Sequence, residues 1–137
     1  MIAIVCLDDR NGMCFNHRRQ SRDACLRAWV MDMTKGSRLW MSPYSAEQFA
    51  REGEGKICVS EAFLEQAGKG DYVFVEDRPL APWAEKVEKL VVFRWNRVYP
   101  GDQYFDLDLA EGQWHKTETR DFPGKSHERI TMEVYTR

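Results

Sequence analysis

The amino-acid sequence predicts an α/β fold in which a mostly parallel central sheet carries flanking helices and ends in an antiparallel pair of strands. A continuous apolar run opens the chain, and short strand-like runs then alternate with segments of helical periodicity. The last part of the chain shows the two-residue alternation of paired strands. The 137 residues, of which 43% are hydrophobic, suffice for one core, so we expect a single domain over residues 1–137.

The first strand and the first helix follow from hydrophobic patterning. The apolar run Ile2–Leu7 is bounded by Asp8 and Gly12, which is typical of a central strand buried on both faces of a sheet. A helix is predicted from Ser21, as its N-cap, to a stop at Gly36, because apolar residues recur at helical spacing between them. Those apolar residues are Cys25, Leu26, Trp29, Val30 and Met33.

The middle of the chain repeats a strand followed by a helix. Ser45, with Gln48 three residues later, forms a capping box that predicts the start of a helix. Ser60 is the predicted cap of the next helix, and Asp77 with Pro79 predicts the start of a third. The accompanying strands are predicted at residues 38–41, 56–59, 72–75 and 89–95. In such folds, ligand sites lie beyond the carboxyl ends of the parallel strands.

The end of the chain changes character. Residues 113–119 and 130–135 are both predicted as strands, and Ile130, Met132 and Val134 alternate along the second of them. An antiparallel pair is therefore expected to close the sheet.

Composition and charge exclude several classes of function. Twenty basic and 22 acidic residues give a net charge of -2, so no long-range positive field attracts nucleic acid, which is not an expected partner. The start of the chain lacks a basic leader and a cleavage site, and no apolar stretch approaches the roughly 20 residues that span a bilayer. We therefore expect no membrane association and a cytoplasmic location. The four cysteines and three histidines show no zinc-ligand spacing, so no metal site is predicted.

Several short motifs follow one another in an order that is specific to one family. The second half contains Lys89-Leu90-Val91-Val92, Gly101-Asp102-Gln103-Tyr104-Phe105, Trp114, Ser126-His127 and Met132-Glu133-Val134-Tyr135. The amino end contributes Ile2-Ala3-Ile4-Val5, Gly12-Met13 and Leu39-Trp40-Met41. With these motifs the chain resembles dihydrofolate reductases over nearly its whole length. The resemblance implies a dihydrofolate reductase-like fold, NADPH as cofactor and a reductase reaction.

The first departure from the family pattern follows the strand at 72–75. Dihydrofolate reductases have a pair of glycines there, where the backbone approaches the cofactor diphosphate. This sequence has Val75 and Glu76, followed by Asp77. Two carboxylates would repel a diphosphate, so we expect no cofactor, with NADPH as the alternative. Glu76 and Asp77 are expected instead to cap the next helix and complement its dipole.

The second departure follows the strand at 38–41. The family motif Met-Gly-Arg-x-Thr supplies a glycine and an arginine near the cofactor phosphate, but here Ser42 and Pro43 take their places. Of the polar side chains of this motif, only the hydroxyl of its last residue is retained, at Ser45. The predicted cofactor site is therefore degenerate on both neighbouring strands.

One carboxylate is the candidate catalytic acid. The resemblance places this acid early in the first helix, where Asp23 is found when residues are counted forward from Gly12. Counting back from Thr34 reaches Leu26 instead. The threonine that supports the acid in the family corresponds to Phe93, whose ring cannot make that hydrogen bond.

A basic segment, residues 16–23, is the other candidate site. Arg18, Arg19 and Arg22 offer guanidinium groups suited to phosphate or carboxylate, so the segment is predicted to bind a small anionic or nucleotide-like ligand. The alternative is a solvated loop whose arginines contact a partner subunit or pair with acids nearby. Those acids are Asp8, Asp9 and Asp23.

Three classes of function remain open. The leading hypothesis is a divergent dihydrofolate reductase-fold protein that has lost NADPH-dependent reduction and acts by binding an anion or by regulation. The second is a still-active NAD(P)H-dependent oxidoreductase, and the third, motivated only by the arginines, is a nucleic-acid-processing protein. A homo-oligomer is a further expectation, because some aromatic residues fit either the core or an interface. These residues are Trp83, Trp95, Tyr99 and Tyr104.

Overall fold

Strands and helices alternate along the chain. The computed structural model describes residues 1–110 and 112–137. Its strands are β1 (Ile2–Leu7), β2 (Gly12–Phe15), β3 (Arg18–Arg19), β4 (Leu39–Met41), β5 (Ile57–Val59), β6 (Tyr72–Val75), β7 (Lys89–Arg94), β8 (Gln103–Tyr104), β9 (His115–Phe122) and β10 (Ile130–Thr136). Its helices are α1 (Ala24–Met33), α2 (Pro43–Gln48), α3 (Phe63–Gln66) and a 3-10 helix (Ala81–Lys86).

The main sheet has seven strands in the order β5-β4-β6-β1-β7-β10-β9. The strands from β5 to β7 are parallel, whereas β10 runs antiparallel to both β7 and β9. β1 lies in the middle, where Ile2 is in register with Tyr72 of β6 and with Lys89 of β7. The predicted fold class, a mostly parallel sheet with flanking helices and an antiparallel C-terminal pair, is confirmed.

Both faces of β1 are covered, which explains its continuous apolar sequence. Ala3 and Val5 belong to the cluster of buried side chains on one face of the sheet, and Ile4 belongs to the cluster on the other. Leu26 and Val30 of α1 are buried in the second cluster. Because successive side chains of a strand enter opposite faces, a strand buried on both sides shows no polar alternation.

A second sheet, in the order β3-β2-β8, is not predicted by the sequence patterns. Its strands are only two to four residues long, too short for a clear period. Asn16 and His17 connect β2 to β3 with φ of 51° and 61°, as a type I′ hairpin turn requires. The hairpin therefore holds Arg18 and Arg19 in a strand, where the sequence predicts a loop.

Three helices begin at caps other than the predicted ones. Ala62, not Ser60, is the N-cap of α3, and the Ser60 hydroxyl instead accepts a hydrogen bond from the Ala62 N–H at 3.1 Å. Asp23, not Ser21, is the N-cap of α1, and its carboxylate accepts hydrogen bonds from two N–H groups of the first turn. Ser42, not Ser45, is the N-cap of α2, which frees Ser45 for another partner. In each case the predicted cap lies within three residues of the observed one, so a hydroxyl alone does not fix the helix start.

The predicted helix after β6 is a 3-10 helix, and Glu76 and Asp77 do not cap it. The N–H groups of Leu80 and Ala81 both donate to the carboxylate of Asp106, at 2.9 Å and 2.9 Å. The expectation that Glu76 and Asp77 complement this helix is therefore wrong. The Glu76 side chain instead belongs to the site described below, and Asp77 pairs with Arg78.

β9 forms one edge of the main sheet and lies two to three residues further along than residues 113–119. Its residues are exposed except Phe122, which enters the core. No helix in the described ranges is long and apolar enough to cross a membrane.

Candidate ligand-binding site

Buried polar side chains gather where three parallel strands end. Asp8 follows β1, Ser42 follows β4 and Glu76 follows β6, so all three lie at the carboxyl edge of the sheet. Each is buried. This edge is where α/β folds place their ligand sites.

The Glu76 carboxylate is held by three side chains. Arg19 Nε donates to Glu76 Oε2 at 3.0 Å, Ser45 Oγ donates to Oε1 at 2.8 Å, and Gln48 Nε2 donates to Oε2 at 2.9 Å. The Glu76 side chain is 6% exposed and that of Arg19 is 18% exposed. Burial raises the pKa of Glu76 above its ordinary value, against the opposing effect of the Arg19 guanidinium and the Ser45 hydroxyl. Glu76 and Arg19 thus form a nearly buried ion pair.

Arg19 is fixed from a second side by Tyr44. Its guanidinium lies over the Tyr44 ring, 4.3 Å from the centroid, and its Nη2 donates to the Tyr44 carbonyl oxygen at 3.2 Å. The Arg19 main-chain N–H donates to the Tyr44 hydroxyl at 2.9 Å. Both the backbone and the side chain of Arg19 are therefore attached to the first turn of α2.

The other predicted cofactor positions surround this ion pair. Ser42 accepts a hydrogen bond from the Ser45 N–H at 3.1 Å, and Pro43 is the first residue of α2. Val75 is buried, and Asp77 pairs with the neighbouring Arg78 at 3.0 Å. The structure thus brings the two predicted segments together, with the carboxylate of Glu76 at the centre of the group.

An arginine-lined pocket of about 830 Å³ opens beside the ion pair. Its lining includes Arg18, Arg19, Ser21, Arg22, Tyr44 and Glu47. The side chains of Arg18 and Arg22 are exposed, and within residues 1–110 and 112–137 neither of them makes an ion pair. Of the predicted ligand-binding arginines, Arg19 is therefore neutralised by Glu76, and the other two remain available to an anion.

Asp8, one of the acids considered as an arginine partner, binds other groups. Its carboxylate accepts from the N–H of Gly12 at 2.8 Å, from the N–H of Tyr99 at 3.0 Å and from Gln20 Nε2 at 3.3 Å. Gln20 Nε2 also donates to the Pro100 carbonyl at 3.2 Å. A Cβ on Gly12 would lie 2.6 Å from Gln20 Nε2, so a larger residue at position 12 would displace the end of the Gln20 side chain. Gln20 thus anchors the chain between the pocket-lining residues Arg19 and Ser21.

Asp23, the predicted catalytic acid, anchors a loop. Its carboxylate accepts from the N–H of Lys125 at 3.0 Å, from the N–H of Ser126 at 2.8 Å and from His127 Nδ1 at 2.9 Å. Burial acts to raise the pKa of Asp23, but the hydrogen bonds from Lys125, His127 and Ser126 outweigh it and hold that pKa well below its ordinary range. A carboxyl group with such a pKa carries no proton at neutral pH. This environment does not favour a role as general acid.

The support for Asp23 comes from the loop between β9 and β10, not from β7. Phe93 of β7 is fully buried and packs edge-on against Phe122, with ring centroids 6.1 Å apart. The hydrogen-bonding partner of the Asp23 carboxylate is therefore His127 and not a residue of β7. The sequence patterns do not assign His127 to a site. The Ser126-His127 motif was visible in the sequence, but its role depends on this loop folding onto α1.

Gly124 allows the β9–β10 loop to lie directly against Asp23. A Cβ on Gly124 would lie 2.7 Å from Asp23 Oδ2 and 2.8 Å from the His127 carbonyl oxygen. The second of these atoms belongs to the backbone, so it cannot rotate away as the end of a flexible side chain can.

We expect Gly124→Ala to lower the free energy of unfolding by about 1–3 kcal/mol, because the added methyl group must push the loop away from Asp23. Urea unfolding measures this change. Gly68→Ala is the matched control, since its Cβ would meet nothing closer than 3.8 Å. If both variants are equally stable, the close contact between the loop and Asp23 is not present in solution.

No group of three or more histidine, cysteine, aspartate or glutamate side chains in the described residues could hold a metal ion. The four cysteines, at positions 6, 14, 25 and 58, are free thiols.

Comparison with known proteins identifies the fold. No family model matches the sequence, and no curated protein matches it either. Among solved structures, the chain is similar to the dihydrofolate reductase from Enterococcus faecalis complexed with NADP(H) and RAB-propyl, with a TM-score of 0.69. The match covers 99% of this chain and 95% of that chain, at 12% sequence identity. The chain has a dihydrofolate reductase-like fold, as the sequence motifs imply.

Proposed function

We propose that this dihydrofolate reductase-like protein binds a small anionic ligand in the arginine-lined pocket and has lost NADPH-dependent reduction. The observation that carries the proposal is the placement of Arg18 and Arg22 beside the Glu76–Arg19 ion pair, in a cavity of about 830 Å³. Cavities of about 300–1,000 Å³ are the usual size for small-molecule sites. Guanidinium groups without a carboxylate partner favour a phosphate or carboxylate ligand.

The residues at the ends of β4 and β6 do not fit a dinucleotide diphosphate. Val75 and Glu76 carry side chains where the family pattern has glycines, and Pro43 has no N–H to donate. Arg19, which contacts this point, already neutralises Glu76. At the ends of β4 and β6 a diphosphate would therefore meet the Glu76 carboxylate, and an arginine already paired with it, in place of free N–H groups.

Retained NADPH-dependent reduction is the second candidate. Its support is the likeness in fold to a dihydrofolate reductase complexed with NADP(H). The two candidates predict different ligands for the same edge of the sheet, so binding measurements separate them.

Inorganic phosphate is expected to raise the melting temperature of the protein saturably at constant ionic strength, whereas NADPH is not. A ligand that binds only the folded chain stabilises it by about 2.7 kcal/mol at 100 times its Kd. Arg18→Gln combined with Arg22→Gln should abolish most of the phosphate effect, because it removes the two unpaired guanidinium groups. Differential scanning fluorimetry and tryptophan fluorescence are the measurements.

The matched control is Arg51→Gln combined with Arg97→Gln, which removes two exposed arginines outside the pocket lining. This control should respond to phosphate as the wild type does. Equal loss in both double variants would mean a general charge effect and would contradict the pocket. Saturable binding of NADPH at micromolar concentration would favour the second candidate.

A further inference from the structure

Three side chains beside the pocket are arranged as a serine, a histidine and a carboxylate in series. Ser21 Oγ lies 3.0 Å from His127 Nε2, and His127 Nδ1 lies 2.9 Å from Asp23 Oδ2. The nucleophile, the base and the orienting carboxylate of serine hydrolases are connected in this way, through the same two ring nitrogens. Such an arrangement is recognised by its geometry, since its order along the chain differs between folds.

The surroundings of His127 fix the proton where the arrangement needs it. The Asp23 carboxylate accepts from Nδ1, so the neutral ring carries its proton on that nitrogen and presents a lone pair at Nε2. The His127 side chain is 3% exposed and that of Asp23 is 0% exposed, and the ring of Trp95 stacks on the imidazole with centroids 4.6 Å apart. The imidazole is therefore held in one position, with its Nε2 acceptor within hydrogen-bond distance of the hydroxyls of Ser21 and Tyr99.

Asp23 is itself fixed by groups other than the histidine. It accepts hydrogen bonds from the first turn of α1 and from the N–H groups of Lys125 and Ser126. A buried, fully hydrogen-bonded carboxylate keeps its charge and stabilises an imidazolium when the histidine takes up a proton. Asp23 is thus a positioning residue. It stays ionised and orients His127, whereas a general acid would have to carry a proton.

Ser21 is the member of the series that a ligand can reach. It is half-buried and lines the arginine-lined pocket together with Arg18 and Arg22. The Tyr99 hydroxyl lies 3.4 Å from Ser21 Oγ and 3.0 Å from His127 Nε2. The Tyr99 hydroxyl thus shares the Nε2 acceptor with Ser21. Once Nε2 has taken the Ser21 proton it no longer accepts, and the Tyr99 O–H is released to donate to the carbonyl oxygen that acquires negative charge during attack.

We propose that Ser21 is the nucleophile, and His127 the general base, of an acyl-transfer site that hydrolyses small esters carrying a carboxylate or phosphate group. Ser21 Oγ forms a bond to the acyl carbon and gives its proton to His127 Nε2. The bond from the acyl carbon to the alcohol oxygen then breaks, and the leaving alcohol takes the proton from His127. The product of this half-reaction is an acyl ester of Ser21.

Water completes the reaction. It attacks the acyl carbon while His127 Nε2 takes one of its protons, and the bond from the carbon to Ser21 Oγ breaks as that oxygen regains the proton. A carboxylic acid leaves, and the site returns to its starting state without any redox change. The choice of substrate rests on the proposed function, because Arg18 and Arg22 are the groups that would select its anionic part.

An alkyl fluorophosphonate tests the nucleophile directly. Ser21 Oγ should displace fluoride, and intact-mass and peptide mass spectrometry should find one adduct per chain, located on Ser21. Ser21→Ala should abolish the adduct, and His127→Gln should slow its formation by at least about 100-fold. Ser37→Ala, which removes an exposed serine elsewhere, is the matched control and should react as the wild type does.

Hydrolysis separates this inference from the anion-binding proposal. The wild type should hydrolyse the 4-nitrophenyl monoester of succinate with a higher kcat/KM than 4-nitrophenyl acetate, and Ser21→Ala should reduce both rates at least about 100-fold. If Ser21 is labelled but Arg18→Gln with Arg22→Gln leaves the preference unchanged, the nucleophile stands and the anion site fails. If phosphate binds but wild-type Ser21 forms no adduct, or another serine reacts instead, the inference is overturned and the anion site stands.

Discussion

Asp23→Ala is expected to lower the free energy of unfolding by about 3–5 kcal/mol, because it removes a buried carboxylate that satisfies several N–H donors at once. The loss includes the N-cap of α1 and the hydrogen bonds to Lys125, Ser126 and His127. Asp23→Asn should be less harmful, since asparagine is also a good N-cap. Its amide would nevertheless place N–H groups against other donors. Chemical denaturation measures both variants.

The contribution of Asp23 should also depend on pH in a defined direction. Its pKa is lower in the folded chain than the value of about 3.9 in an unfolded chain, so the unfolded state binds more protons in acid. The stability that Asp23 supplies is therefore present above that unfolded value and is lost as the pH falls toward the folded one. The difference between wild type and Asp23→Asn should shrink when unfolding is measured at successively lower pH, below about pH 4.

Asp32→Asn is the matched control for Asp23, because Asp32 lies on the same helix with a 75% exposed side chain. It should change the free energy of unfolding by less than about 0.5 kcal/mol and show no such pH dependence relative to the wild type. If Asp23→Ala is no less stable than this control, the loop is not anchored by the carboxylate.

Glu76→Ala is the second large effect, also about 3–5 kcal/mol, because it leaves the Arg19 guanidinium buried without a counter-charge. Ser45 and Gln48 lose their acceptor at the same time. Replacing both partners, as Arg19→Met with Glu76→Met, should recover most of the stability, since it removes the desolvation cost together with the attraction. Thermal and urea unfolding of the two single variants and the double variant give the coupling energy.

Glu61→Ala is the control for Glu76, because it breaks an ion pair with Arg78 whose carboxylate side chain is 73% exposed. Exposed pairs contribute about 0–1 kcal/mol, so this variant should be nearly neutral. A double variant at positions 19 and 76 as unstable as Glu76→Ala would show that packing, and not an uncompensated charge, causes the loss.

Most of the main sheet could be predicted because its strands are long or strongly apolar. Ile2–Leu7 is a continuous apolar run, as in a strand buried on both faces, and Ile130–Thr136 alternates as in a strand buried mainly on one face. The small sheet could not be predicted, because the hairpin of β2 and β3 depends on positive φ at Asn16 and His17, and the His17 side chain gives no sign of this. Cap positions shifted by up to three residues because several hydroxyls compete near each helix start.

The site was visible only in part. The sequence shows that the charge of Glu76 would repel a diphosphate. Its partner Arg19 lies on β3, so the pair can be identified only when the position of the β2–β3 hairpin is known. The sequence identifies Asp23 as a carboxylate near the start of the first helix. Its contact with His127 could not be predicted, because the two residues are far apart in the chain. The sequence therefore identifies the chemistry of single side chains, but not the contacts between distant residues that give those side chains a function.

The central position of β1 has a consequence for how the chain acquires its structure. The residues of this strand are made before both of the strands that flank it, β6 and β7, and they are almost wholly apolar. During synthesis one edge of β1 must wait for its hydrogen-bonding partner until residues 72–75 have emerged, and the other edge until residues 89–94 have emerged. Non-local parallel pairing of this kind slows folding toward the range of about milliseconds to seconds and prolongs exposure to chaperones and to other unfinished chains.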